Sequence, residues 1–536
     1  MKSLRVIVRF SATLLIAFAL FCCSKEEGQP QVKILHYSVS VQNDGPSTKV
    51  TVDDARNQLF QEGDILRITG IGISGDLTLK SGAGTNSASF SGDLIYTGGG
   101  NPSDDLELNA ILISLTDKLN QEGGSYLNAV VPSFAKAVEQ YSYLTGQSTY
   151  GEKNFNLSQG SAFIKFDLYA YGFADGEYTA SITTSDNSYT ASGSIMVTDE
   201  KAVFAAAFGD GVTLTNPMVT IENGEKIVYR PFGSKTSPTI TLVSNKVNTV
   251  TDKAPEVGNV YYSDGTWTGN RQTPSAIPLG LIVYVNEGSE SIAPATVPDV
   301  EAFADGVTEK DNGFGHALVI AMKDCALPTN GIRWSTSTTR VTDPVFENGW
   351  FDHPENKRDQ LTLSSYNGIG KTDYMVTDPD VFLAGAVIRE YSPYAESTTH
   401  ASEWFMPTIT QWIASFMGLG NSRDTFLYPL DGTSYYSSSI YDNFYSKVGT
   451  GGFEMPLNIY DNWRYESMSG KNYNWYYYWS STQNLENRAI CIAFRDGGGV
   501  KGVGLAHHEK ARTRAYNPLT GDLAVAGRSV RAFLAF

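Results

Sequence analysis

The feature that most narrows the fold is a strict alternation between residues 162 and 170. Ala162, Ile164, Phe166, Leu168 and Ala170 share one face, while Lys165 and Asp167 point the other way. Successive side chains of an extended strand point to opposite faces, so the pattern describes a half-buried strand. Asp175-Gly176 then makes a turn, and residues 177–183, 188–197 and 202–208 continue the strand-like runs at short spacing. That rhythm of strands and turns fits an antiparallel β-sandwich. One helix interrupts it, capped by Ser133, with Phe134, Ala137, Val138, Tyr141 and Leu144 on a single stripe.

Composition bounds the partners. The 536 residues carry 40 Lys and Arg against 57 Asp and Glu, a net charge of −17, so the attraction that draws proteins onto phosphate backbones is missing and nucleic acid is excluded as a partner. A content of 41% apolar residues is enough for several cores. Charged residues make up 18%, with 51 Gly and 30 Tyr, a balance seen in extracellular β proteins.

Lys2, Arg5 and Arg9 precede an apolar run from Ala12 to Phe21. At about ten residues it falls short of the ~20 that span a bilayer as a helix, so residues 1–23 read as an export signal. Leu20-Phe21-Cys22-Cys23-Ser24 resembles a bacterial lipobox, with Cys23 the lipidated residue and Cys22 the alternative. An ordinary signal cut after Ala17-Phe18-Ala19 is the other reading. Ser24-Lys25-Glu26-Glu27 is similar to the acidic tag that sends lipoproteins of Bacteroidetes-type bacteria to the cell surface, or is a solvated linker, over residues 24–34. No other run approaches 18 apolar residues, so the mature chain is expected to hang from lipid on the outer membrane.

All eight Trp lie at or after Trp267, and five of six His at or after His316, which places a boundary near Ala254-Pro255. Before it, Phe60-Gln61-Glu62-Gly63-Asp64 opening a strand, Phe90-Ser91-Gly92-Asp93-Leu94, Ala162-Phe163-Ile164-Lys165-Phe166 and Asp175-Gly176-Glu177-Tyr178 resemble fimbrillin-type pilins of Bacteroidetes. The resemblance implies two tandem antiparallel β-sandwiches of the transthyretin-like pilin type, here 35–150 and 151–254. It also implies a lipoprotein precursor cut after an N-terminal Arg, for which Arg56 is the candidate or else a solvated turn residue. Loss of the leading strand would open a groove that another pilin subunit fills by donor-strand addition.

In residues 255–536, Thr408 and Gln411 make a capping box ahead of Ile409, Trp412, Ile413 and Phe416, ended by Gly418, and 380–391 is a second helix. Val260 to Trp267, Trp404-x-Met406-Pro407-Thr408-x-x-Gln411-Trp412, Tyr478-Trp479-Ser480-Ser481 and Arg528-x-Val530-Arg531-x-Phe533 are similar to C-type-lectin-like domains, nearest the formylglycine-generating branch. That implies a compact α+β frame with a loop-built recognition face, and Trp404, Trp412 and Trp479 as framework aromatics. The expected fold is therefore mainly β, two sandwiches followed by an α+β lectin-like unit.

Chemistry is harder to find. The formylglycine-generating branch oxidises with two neighbouring cysteines, but Cys325 and Cys491 are 166 residues apart, so redox catalysis is disfavoured. The two thiols form a structural disulfide or stay buried and reduced. No Glu-Pro-Asn or Trp-Asn-Asp calcium tripeptide occurs, and His507-His508-Glu509 are adjacent, so no metal or cofactor is expected. Gly370-Lys371-Thr372 ends like a phosphate loop but has Ser365 where the first glycine belongs, and Gly497-x-Gly499-x-x-Gly502 opens no clear helix. What stands out is Tyr473, Asn474, Trp475, Tyr476 and Tyr477 with Asn484 and Asn487. Tyr and Asn offer rigid amphipathic area and amide hydrogen bonds suited to a protein or glycan ligand. The expectation is a non-enzymatic surface adhesin at a fimbrium tip, because residues 527–536 read as the head's own last strand and so cannot be donated. The rival is a lone glycan-binding lipoprotein.

Overall fold

The computed structural model describes residues 32–43, 60–113, 128–141, 144–224, 227–232, 239–244, 247–269, 276–286, 305–325, 332–337, 339, 341–347, 367–391, 401–419, 465–466, 472–483, 488–496, 502–509, 515–516, 523–524 and 528–536. It is mainly β, as the alternation requires.

Seven strands form a closed barrel in the order Lys33–Asn43, Ser87–Tyr96, Ile73–Ser81, Ile65–Gly70, Glu107–Ile113, Leu144–Thr149 and Asn154–Gln159. Phe60, Leu66, Ile68, Leu77, Phe90 and Leu94 fill its interior. The turn that starts the Ile65–Gly70 strand explains its sequence. Gly63 sits at φ 95°, a left-handed conformation that side chains disfavour, and the Asp64 carboxylate accepts a 2.8 Å hydrogen bond from the Gln61 amide. The barrel closes where Asn154–Gln159 runs parallel to Lys33–Asn43, from Ser40 beside Asn154 to Asn43 beside Leu157. Two facing open sheets are expected here; a closed barrel is found, because this parallel pairing joins strands more than 100 residues apart.

The second sheet has eight strands, ordered Ile227–Pro231, Met218–Glu222, Gly176–Thr183, Thr190–Thr198, Ala129–Val131, Lys201–Gly209, Ser161–Tyr169 and Val247–Thr251. Ala162, Ile164, Phe166, Leu168 and Ala170 are all buried, and Phe166 stacks on Phe204 with ring centroids 4.7 Å apart. The other face is not wholly wet. Helix α1 (Phe134–Tyr141) covers Phe163, Ala205 and Ala207, and the Ser133 hydroxyl caps it by accepting from the Lys136 amide. Leu144 belongs to the next barrel strand, not to the helix.

The chain therefore leaves the barrel after Ile113, contributes Ala129–Val131 and α1 to the second sheet, and returns to the barrel at Leu144. A division at 150/151 does not follow the sheets: 129–141 go with the second sheet and 154–159 with the barrel. A three-residue strand has no periodicity to announce its partner.

The C-terminal part mixes helices and sheets. One sheet runs Val260–Tyr262, Pro278–Val285, Ala317–Ala321, Phe533–Ala535. The other runs Tyr465–Glu466, Asn472–Gln483, Arg488–Asp496, Gly502–Glu509, with Arg528–Ser529 parallel to Asn472–Gln483. Helices α2 (Pro344–Glu347), α3 (Gly368–Val376), α4 (Leu383–Glu390) and α5 (Ile409–Gly418) accompany them. Thr408 and Gln411 form the capping box at the start of α5, with both reciprocal hydrogen bonds present. At its other end a Cβ on Gly418 would lie 2.1 Å from the Val283 carbonyl oxygen, so glycine permits the helix to meet the sheet.

An aromatic cluster joins this part to the second sheet. Tyr171 stacks on Trp267 at 5.6 Å and on His316 at 3.7 Å, and Trp267 stacks on Phe536 at 5.7 Å. His316 also pairs with Glu200, whose other oxygen accepts from the Gly172 amide at 2.8 Å.

Candidate functional site

Two places are relevant to the expected function: the first barrel strand and the strand Asn472–Gln483. The first strand turns Tyr37, Val39 and Val41 into the barrel core. It pairs antiparallel with Ser87–Tyr96 along ten residues, from Lys33 beside Tyr96 to Gln42 beside Ser87. The Tyr37 hydroxyl donates to the Tyr150 carbonyl at 2.9 Å, and the two rings stack. Both ladders of this strand involve segments far downstream in sequence, so it is held by pairing and packing rather than by a hairpin to its successor. Arg56 follows it in sequence and lies outside the described residues, as do Cys22 and Cys23.

In the C-terminal part, Trp412 and Trp479 are fully buried, and Trp404 is half-buried. The Trp479 indole donates to the Ile332 carbonyl and the Trp334 indole to the Ser480 carbonyl, both at 2.8 Å. These rings frame the fold. Tyr473, Asn474, Trp475 and Tyr476 lie on the strand Asn472–Gln483, with Asn474 opposite Asp496, Trp475 opposite Arg495 and Tyr476 opposite Phe494. Their side chains lie outside the described part, and so do Asn484 and Asn487. Tyr477 is half-buried and packs on the core that holds Trp479, so it is at least partly a framework residue.

Cys325 and Cys491 pack in that same core, and no disulfide joins them. Burial, reinforced by the neighbouring Asp324 carboxylate, pushes the Cys325 thiol far up. That removes the thiolate on which cysteine nucleophiles depend.

Two buried polar groups centre on acidic residues that the sequence does not single out, Glu309 and Asp324. Glu309, 2% exposed, stands at the start of α3. One carboxylate oxygen accepts from the Gly368 amide at 2.6 Å and also from Ile369 and the Gln411 side chain; the other accepts from Asn312 at 2.7 Å. Burial raises its pKa to about 7 against these hydrogen bonds. Lys371, one turn into α3, is 1% exposed and lies 5.9 Å from the centroid of the Phe346 ring. Burial lowers its amine to about 8, partly offset by Glu309. The Gly370-Lys371-Thr372 tripeptide was the one visible cue, and its role is internal: Lys371 is buried, and the Thr372 hydroxyl donates to the Gly368 carbonyl while accepting from the Met406 amide.

The second group is Arg531, also 1% exposed. It donates to the carbonyls of Ala321 at 2.9 Å and Met322 at 2.6 Å and faces Asp324 at 3.4 Å, while Tyr478 donates to the same carboxylate at 3.2 Å. Planar guanidinium geometry suits such multiple acceptors. The arrangement ties the Phe533–Ala535 strand region to its neighbour.

Among the described residues no group of three or more His, Cys, Asp or Glu side chains is placed to hold a metal ion. The residues after Gly502 form a strand rather than a helix, so the glycine pattern there has no dinucleotide-binding context. No helix among the described residues is long and apolar enough to cross a membrane.

No protein-family profile matches the chain, and no curated protein matches it. Solved structures similar to it include a candidate cell adhesion protein from Bacteroides ovatus, at 11% identity and TM-score 0.24, covering 40% of this chain and 92% of that one. A candidate cell adhesion protein from Bacteroides thetaiotaomicron aligns at 14% identity and TM-score 0.22, covering 41% and 93%. The tip fimbrial protein Mfa3 of Porphyromonas gingivalis, with a C-terminal truncation, aligns at 7% identity and TM-score 0.20, covering 39% and 92%. Superpositions at this level set neither the fold nor the activity of the chain.

Proposed function

We propose that the chain is the precursor of a surface adhesin of the fimbrial type, a tip subunit whose C-terminal lectin-like unit recognises a protein or glycan ligand without catalysis. The observation that carries this reading is the position of the strand Lys33–Asn43. It closes the barrel through long-range pairing alone and precedes Arg56 in sequence. A cut after Arg56 separates it covalently from the rest of the barrel. Its departure leaves the ladder edges of Ser87–Tyr96 and Asn154–Gln159 unpaired and vacates the core positions of Tyr37, Val39 and Val41. Another pilin subunit's strand with alternate apolar residues would restore both. The strand Phe533–Ala535 is committed to its own sheet beside Ala317–Ala321 and is not free to be donated. Lipidation at Cys23, or at Cys22, holds the precursor on the outer membrane until processing.

The test joins a biochemical and a cellular readout. The chain is cut near Arg56 and offered a fluorescent peptide of residues 33–43 as a stand-in donor strand; uptake by cut protein and none by intact protein is expected. Immunogold labelling of the C-terminal unit on cells should then mark filament ends, and lose them when processing is disabled. Failure of the cut protein to exchange its strand overturns the assembly reading. Label confined to the membrane in both conditions favours a solitary glycan-binding lipoprotein.

A further inference from the structure

Eight large apolar side chains stand exposed among the described residues, and four of them gather at one end of the barrel: Val32 (61% exposed), Ile34 (72%), Ile71 (87%) and Ile95 (49%). The strand register explains the grouping. Ile34 is directly opposite Ile95 on the neighbouring strand, and cross-strand partners share a face. Val32 precedes Ile34 by two positions, which returns it to that face in extended chain. Ile71 tips the turn between the strands Ile65–Gly70 and Ile73–Ser81, and the Gly72 carbonyl of that turn accepts from the Thr97 amide at 2.7 Å, two residues beyond Ile95. The next row on the face is the exposed pair of His36 and Asp93, 3.0 Å apart, so the apolar group has a polar border.

Burying one face of a barrel elsewhere while wetting isoleucines here costs free energy unless something covers them. The chain leaves the barrel through this group, since Val32 is itself a member. Only eight residues, 24–31, separate Val32 from Cys23. Even fully extended they reach about 30 Å. A lipid on Cys23 thus keeps this end of the barrel, rather than any other face, beside the bilayer at a high effective concentration.

We propose that the face formed by Val32, Ile34, Ile71 and Ile95 docks the unprocessed chain onto the lipid surface of the membrane that carries its anchor. The inference rests on the lipid-anchored reading above. It adds a consequence for processing: a cut after Arg56 removes the anchor, Val32 and Ile34 together, leaving Ile71 and Ile95 too little to hold the surface.

The experiment replaces the lipid so that the anchor and the docking face are tested apart. The chain from Ser24 to Phe536, with a hexahistidine tag before Ser24, is tethered to phosphatidylcholine vesicles containing a nickel-chelating lipid and brominated acyl chains. An environment-sensitive dye is placed on Ile71→Cys or, as control, on Val203→Cys, exposed on the second sheet. Quenching of the dye at 71 with none at 203 is expected, and Ile34→Ser with Ile95→Ser should abolish it. No quenching at 71 while the tether holds, or equal quenching at both positions, overturns the proposal. Shielding of the dye at 71 without vesicles, growing with protein concentration, would assign the face to a second copy and overturn it as well. Failure of lipidation itself would appear separately, as an unmodified Cys23 and Cys22 in the mass of the native chain.

Discussion

Replacing Glu309 by Gln tests whether the buried carboxyl works as the structure arranges it. In the unfolded chain this group ionises near its ordinary value of 4.5; in the folded chain burial holds it near 7. Between those values the folded state binds one more proton than the unfolded state, so this group's contribution to stability falls as pH rises and levels off above about 7. The difference amounts to about 3 kcal/mol. Gln cannot ionise. Its carbonyl keeps the donors Gly368 and Gln411, while its amide meets Asn312, which must turn over; that cost does not depend on pH and drops out of the comparison. Thermal melts followed by tryptophan fluorescence report this part of the chain, because all eight Trp lie at or after residue 267. The gap between E309Q and wild type should widen in the variant's favour by on the order of 10 °C from pH 4.5 to pH 7. Parallel curves over that range would refute the reasoning, since they would mean that Glu309 titrates normally and is not buried as described.

Arg531→Met leaves Asp324 buried without its guanidinium and frees two carbonyls; a loss of about 3–5 kcal/mol is expected, read as an earlier fluorescence transition with the far-ultraviolet β signal of the barrel retained. Trp267→Ala opens the cluster of Tyr171, His316 and Phe536 and should cost about 3–5 kcal/mol. Faster limited proteolysis between residues 251 and 260 is the readout, and an unchanged cutting rate would mean that the cluster does not hold the two parts together.

The local features of this protein were written in its sequence because their causes are local. Alternation at 162–170 placed one face of a strand inside. Ser133 and the Thr408–Gln411 box marked helix starts whose orphan amides need those oxygens, and Gly63-Asp64 marked a turn that requires positive φ. The Trp and Cys positions followed their burial: Trp412, Trp479 and Cys491 are core residues. What the tertiary structure alone decided is partnership. Nothing in Lys33–Asn43 names Asn154–Gln159 as its parallel neighbour, and Ala129–Val131 is too short to signal that it leaves one sheet for another. Lys371 and Glu309 are far apart in sequence, and charged side chains are ordinarily exposed. They come together in the interior only because α3 and α5 converge on Glu309, whose carboxylate accepts from Gly368 and Ile369 of α3, from Gln411 of α5 and from Asn312. Pairing and burial of this kind are properties of contacts across the fold, and a linear pattern of residue types carries the period of an element but not the identity of what packs against it.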